Sequence, residues 1–164
     1  MRSIVAIVIH HSVSSTCTDR EEITRWHKHR GFRTIGYHYV VRLEYGTAII
    51  ERGRAEDERG AHLVPQAGAE ISNSNSLGIC IAGNHEINDP DGRLWTQALE
   101  LAAELCHHHL LTEDQVYGHN ELRSTLCPGS RMDMEMFRAE LHDLLDAPMD
   151  LRERGATTSP LARP

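Results

Sequence analysis

Two stretches of the chain carry residue types that bind metal. The first is His10-His11, which ends the apolar run Ile4-Val5-Ala6-Ile7-Val8-Ile9. The second, YGHNELRSTLCPG from Tyr117 to Gly129, holds His119 and, eight residues on, Cys127, before Pro128 and Gly129 turn the chain. Neutral imidazole and thiolate are both good zinc ligands. A histidine pair alone is equally well explained by one strand-end hydrogen bond and one solvated ring, so the pair gains weight only from the second stretch. A closed structural zinc site wants a fourth protein donor at a matching short spacing, and the sequence offers none. Three donors from two remote stretches leave one coordination position open, which is what a hydrolytic zinc needs to admit water. A total of 12 histidines raises the prior for such chemistry.

The elements that must position these residues can be read from the patterning. The β-branched run Ile4–Ile9 suits a buried central strand ending at His10. Thr18-Asp19-Arg20-Glu21 has capping-box spacing, and Ile23, Trp26 and His27 follow at helical intervals, so a helix is predicted over 19–30, ended by Gly31. Ile35, Tyr37, Tyr39, Val41 and Leu43 alternate, and Glu44-Tyr45-Gly46-Thr47 leads to Ala48-Ile49-Ile50, which predicts a hairpin. The polar, Gly-rich stretch 51–76 reads as a long loop region of the kind that lines sites. A strand is expected over 77–82. A helix follows with Leu94, Trp95, Ala98, Leu99, Leu101, Ala102, Leu105 and Cys106 on its inner stripe, and His107-His108-His109 continue it as a solvated end. Val116-Tyr117 suits a short strand. Ser130–Asp133 can cap a last helix built on Met134, Phe137, Leu141, Leu144 and Leu145. The expected architecture is α/β: one domain over 1–146, a central mixed β-sheet flanked by α-helices, and a disordered tail over 147–164.

Composition bounds the function. A length of 164 residues suits one domain, and 40% hydrophobic with 25% charged residues is ordinary globular usage. Lys+Arg at 17 against Asp+Glu at 24 gives a charge of −7, the wrong sign for a general grip on nucleic acid or anionic lipid. Four scattered cysteines make no disulfide framework. The longest apolar run falls far short of the roughly 20 residues that cross a bilayer, and no signal peptide is expected. A monomer is favoured.

The segments IVIHHSVSS, RWHKHRGFRTIGYHYVV, GAH, NSNSLGICIAGN and GHNELRSTLCPG, in this order, resemble the zinc-dependent N-acetylmuramoyl-L-alanine amidases, the family of small phage amidases and peptidoglycan recognition proteins. The similarity covers about Ile4 to Leu145. It implies Zn²⁺ held by His10, His119 and Cys127, with His11 a neighbour. Tyr37 in GYH is similar to the family's active-site tyrosine, on a strand beside the first. Thr125, two before the cysteine, matches catalytic peptidoglycan recognition proteins, where some phage members carry lysine. His62 in GAH resembles a cleft residue near the metal, and Asn75 in NSLG a turn or substrate-cleft position. The implied activity is hydrolysis of the amide between N-acetylmuramic acid and L-alanine of the stem peptide, with peptidoglycan or muropeptide as partner. The protein would be made in the cytoplasm and would reach the wall by release or secretion, or act in cytoplasmic recycling.

Two other readings have their own discriminators. A non-catalytic peptidoglycan-binding module would lack the ligand cysteine, and Cys127 is present. A second role binding a polymerase, as in some similar phage amidases, has no surface in the sequence to mark it. Glu51 and Glu121 rank low as general bases. Trp26, Trp95 and Phe137 are read as core, Cys80 and Cys106 as small buried hydrophobes, and Cys17 as a loop thiol. His27, His29, His38 and His85 carry no spacing argument.

Overall fold

The computed structural model describes residues 2–147, so the tail expected beyond 147 lies outside the described residues. Five strands form one mixed sheet: β1 (Ala6–His11), β2 (Tyr39–Glu44), β3 (Thr47–Arg52), β4 (Ser76–Ile81) and β5 (Val116–Gly118), in the order β3-β2-β4-β1-β5. Strands β2, β4, β1 and β5 run parallel, and β3 closes one edge as the antiparallel arm of the expected hairpin. Every residue of β1 and β4 is buried, which is why both read as unbroken apolar runs rather than as alternation.

Helices cover both faces. Helix α1 (Arg20–His29) starts at Asp19, whose side chain accepts from Glu22 N–H. The main helix, α2 (Gly92–His109), is capped by Asp91 and ends at Leu110, a left-handed residue whose N–H bonds Cys106. A single turn, α3 (His119–Leu122), follows β5 directly, and α4 (Met134–Asp146) begins at Asp133. Strand alternation sends Ile7, Ile9, Tyr39, Val41, Ile79 and Ile81 into the large core under α2 and α4. There the Trp95 and Phe137 rings meet edge to face, with centroids 5.2 Å apart. Val40 and Cys80 face the other side and pack with Ile23, Ile35 and Tyr37.

Three expectations need correction. Residues 35–38 are not part of the sheet: their alternation continues that of β2, but strand pairing begins at Tyr39. Tyr37 therefore precedes a strand, and that strand neighbours β4 rather than β1. The His107-His108-His109 run does complete α2, yet His109 is half-buried against Glu56 rather than solvated. Helix α3 was not anticipated, because four residues are too few to show a period.

Candidate metal centre and cleft

The alternation of β1 decides between its two histidines. His10 points with Cys80 and Val40 to the face under α1, whereas His11 lies on the opposite side, where its Nδ1 accepts from His85 N–H at 3.2 Å. His119 arrives by register. Ile9 pairs with Gly118, so His10, next along β1, and His119, the first residue of α3 directly after β5, come side by side at the same level. Their rings stand 4.6 Å apart between centroids. Cys127 is returned to this spot by the turn after α3, in which Cys127 N–H donates to Thr125 Oγ1. Gly129 completes that turn at φ +103°, and a Cβ there would come within 2.3 Å of the His85 backbone, so only glycine fits.

One ligand-type atom from each of His10, His119 and Cys127 lies within 4.8 Å of the other two. His10 Nδ1 is 3.5 Å from Cys127 Sγ. His119 Nε2 is buried and has no hydrogen-bond partner, an orphan that a metal ion would satisfy. The electrostatics suit the same ligand. Burial, reinforced by neighbouring His62 and His119, drives the His10 pKa well below its usual value, and burial holds His119 at about 4, so both rings are neutral lone-pair donors at pH 7. Burial pushes the Cys127 thiol up to about 12, partly opposed by a hydrogen bond from the His11 backbone. A nearby cation is what converts such a thiol to thiolate. Two imidazoles and one thiol fit zinc, and a fourth protein donor is absent from the cluster among the described residues.

Behind the ligands lies a support that the sequence did not reveal in full. His62 is not merely near the metal position: its Nδ1 is 3.0 Å from His10 Nε2. For His10 to offer Nδ1, its proton must sit on Nε2 and donate to His62. That places the His62 proton on Nε2, 3.4 Å from Ser76 Oγ. The His62 ring lies over Gly78 of β4, where an added Cβ would approach it to 2.7 Å. Asn73 fixes the backbone around it, accepting from His62 N–H and Leu63 N–H and donating to Leu63 O.

These groups form the floor of an open cleft of about 710 Å³. Tyr37 enters it with its ring 5.0 Å from that of His10, and burial, with the nearby Cys80 and Cys127, keeps the phenol protonated well beyond its usual range. Thr125, beside Cys127, also lines the cleft. Asn75 does not: its side chain accepts from Ser72 N–H and donates to Glu70 O, tying the 70–75 turn, and the cleft asparagine is Asn73. Trp26, expected in the core, is 37% exposed and forms part of the cleft wall. His27 also lines it, and its Nδ1 accepts from Gly36 N–H, steadying the segment that carries Tyr37. His38 is structural, accepting from Gly78 N–H through Nδ1. Among the described residues no aspartate or glutamate lines the cleft, whereas Arg30 and Arg59 do. Glu51 and Glu121 are engaged elsewhere, by Arg42 and Arg138 respectively.

Residues 1–130 match the family described as N-acetylmuramoyl-L-alanine amidase. The endolysin of Klebsiella phage KP32 is 31% identical over 131 residues, covering 74% of this chain and 78% of that one. Peptidoglycan-recognition protein SD of Drosophila simulans is 28% identical over 134 residues, 76% of this chain and 67% of that one. Among solved structures, the N-acetylmuramoyl-L-alanine amidase LysC from Clostridium intestinale URNW superposes with a TM-score of 0.71 at 28% identity, over 85% of this chain and 86% of that one. Since the matched span runs from before β1 to beyond Cys127 and takes in the whole sheet and cleft, the chain belongs to the N-acetylmuramoyl-L-alanine amidase family and is a peptidoglycan amidase.

Proposed function

We propose that this amidase is zinc-dependent and of the endolysin type, cutting the amide between the lactyl group of N-acetylmuramic acid and L-alanine of the stem peptide in the cell wall. Residues 1–146 serve as its catalytic domain. The observation that carries this reading is the convergence of His10, His119 and Cys127 at the cleft floor, with His119 Nε2 buried and unpartnered. Zinc, when bound there, supplies Lewis acidity that acidifies water and polarises an amide carbonyl.

The chain's own residues do the rest. Water adds to the carbonyl carbon, the C–N bond breaks, both water protons pass to the leaving nitrogen, and the products are the lactyl carboxylate and the α-ammonium group of alanine. Tyr37, held neutral, donates a hydrogen bond to the oxyanion that develops on the substrate. Thr125 uses its hydroxyl oxygen to accept from Cys127 N–H, which leaves its O–H to donate into the cleft. His62 holds the proton of His10 on Nε2 and so keeps Nδ1 available. With no carboxylate lining the cleft among the described residues, the proton of the attacking water passes to the leaving nitrogen, and the Arg30 and Arg59 charges favour the carboxylates of a stem peptide.

Purified protein incubated with peptidoglycan should release stem peptides, lose that activity to a chelator and regain it with zinc. The Cys127→Ala variant should fold, bind less zinc and release nothing. Full turnover by that variant would defeat the metal assignment. Binding of peptidoglycan without any release would instead favour the non-catalytic module.

A further inference from the structure

We infer that the corner between the last turn of α2 and the loop after β3 is a second divalent-metal site, with Glu56, His108 and His109 as its protein ligands. One donor atom from each of the three lies within 4.8 Å of the others, and Glu56 Oε2 is hydrogen-bonded to His109 Nε2 at 2.6 Å, so these two donors already face one another and need only part slightly to admit an ion. The corner lies across the sheet from the amidase cleft: Tyr39, which orients Glu56, belongs to the core under α2, whereas Val40 faces the other side. The site stands independently of the amidase reading and shares no residue with it.

Three features prepare the corner for a cation. The Tyr39 hydroxyl donates to Glu56 Oε1, which aims the other oxygen at the histidines. Burial disfavours the Glu56 charge, but the hydrogen bonds from Tyr39 and His109 outweigh it and hold the carboxyl below its ordinary pKa. Helix α2 also ends here. Its last turn carries both imidazoles, and carbonyl groups left without helical partners give that end negative partial charge. The charge of Glu104, one turn earlier, acts on Tyr39 and adds to the field. The His108 and His109 rings stand nearly perpendicular, with centroids 4.7 Å apart, so their edges converge without stacking.

Without an ion, the Glu56–His109 hydrogen bond requires a proton on His109 Nε2; on binding, that proton goes to solvent and the freed lone pair goes to the metal. Two imidazoles and one carboxylate select Zn²⁺, Ni²⁺, Co²⁺ or Cu²⁺ over Mg²⁺ or Ca²⁺. The ion would clamp the loop bearing Glu56 to α2. That loop runs on to Arg59 and His62, so the clamp steadies one wall of the cleft from behind.

The test is titration of untagged full-length protein with Co²⁺ alone, because an affinity tag of histidines would add ligands. Two equivalents are expected: one with the sulfur-to-metal charge-transfer absorption of Cys127, the other with only the ligand-field bands of a nitrogen and oxygen site. His108→Ala combined with His109→Ala should abolish the second and keep the sulfur band, and Cys127→Ala should do the reverse. Tyr39→Phe keeps all three ligands and should weaken the second site by about 10- to 100-fold. A single equivalent in the parent protein, or a second equivalent that survives the double alanine change, overturns the assignment. Should the double variant fail to fold, unchanged second-site affinity in a folded Tyr39→Phe protein overturns it equally.

Discussion

Tyr37 and His62 do different work although both touch His10, and the difference is measurable. Tyr37 meets the His10 ring through its own ring and presents a neutral hydroxyl to the cleft. Tyr37→Phe should lower kcat by about 10²- to 10³-fold, the usual consequence of losing one oxyanion donor, while zinc affinity measured by competition with a chelating dye stays unchanged. His62 reaches the back nitrogen of His10. His62→Ala should weaken zinc binding by about 10- to 100-fold, and excess zinc should restore much of the activity. That His10, His119 and Cys127 gather in one cluster was legible because their residue types announce themselves and their segments resemble a known family. The His10–His62 contact spans 52 positions and left no spacing to read, so His62 showed only as a cleft residue. Asn73 was hidden for the same reason: its partners are backbone groups of residues 62 and 63.

At the level of elements, the parallel pairing of β1 with β5 sets the spacing of the two histidines, and β4 supplies the surface on which the support rests. Gly78 is the sensitive point. Gly78→Ala would push a methyl group into the His62 ring, at a cost of about 1–3 kcal/mol for overpacking a closed interior, and should also loosen zinc binding. Urea denaturation together with a metal titration of the same sample checks both effects. Elements with a sustained pattern, such as β1, β4 and α2, were readable from the sequence. The start of β2 was not, because residues 35–38 keep the same alternation while Gly36 O accepts from Ala61 N–H and Tyr37 O from Arg54 N–H, both in loops, and only His38 N–H reaches β4, at Gly78 O. Trp26 was misplaced because a helical period tells which residues share a face, not whether a cleft opens above that face.

For the whole molecule, buried histidines set the acid limit. Burial holds His27 and His38 at about 4, against about 6.5 in an unfolded chain. The unfolded state therefore binds more protons between those values. Their contribution is complete above about pH 6.5 and is lost as pH falls toward 4, at up to about 1.4 kcal/mol per pH unit for each group. Denaturation midpoints of the metal-free protein measured from pH 7 to pH 4 should fall accordingly. A flat profile would mean that these rings protonate without disrupting the fold. Among the described residues no helix is long and apolar enough to cross a membrane.

His10 lies on the central strand β1 and His119 opens α3 directly after the edge strand β5, whereas much of the cleft wall around them is loop: 12–13, 32, 59–65 and 125–126. Because His62 contacts His10 and Thr125 accepts from Cys127 N–H, the stretches 59–65 and 125–126 serve the floor as well as the wall, whereas changes at 12–13 and 32 leave both contacts in place. Substitutions at those outer wall positions can change which wall polymer is accepted while the same reaction is kept.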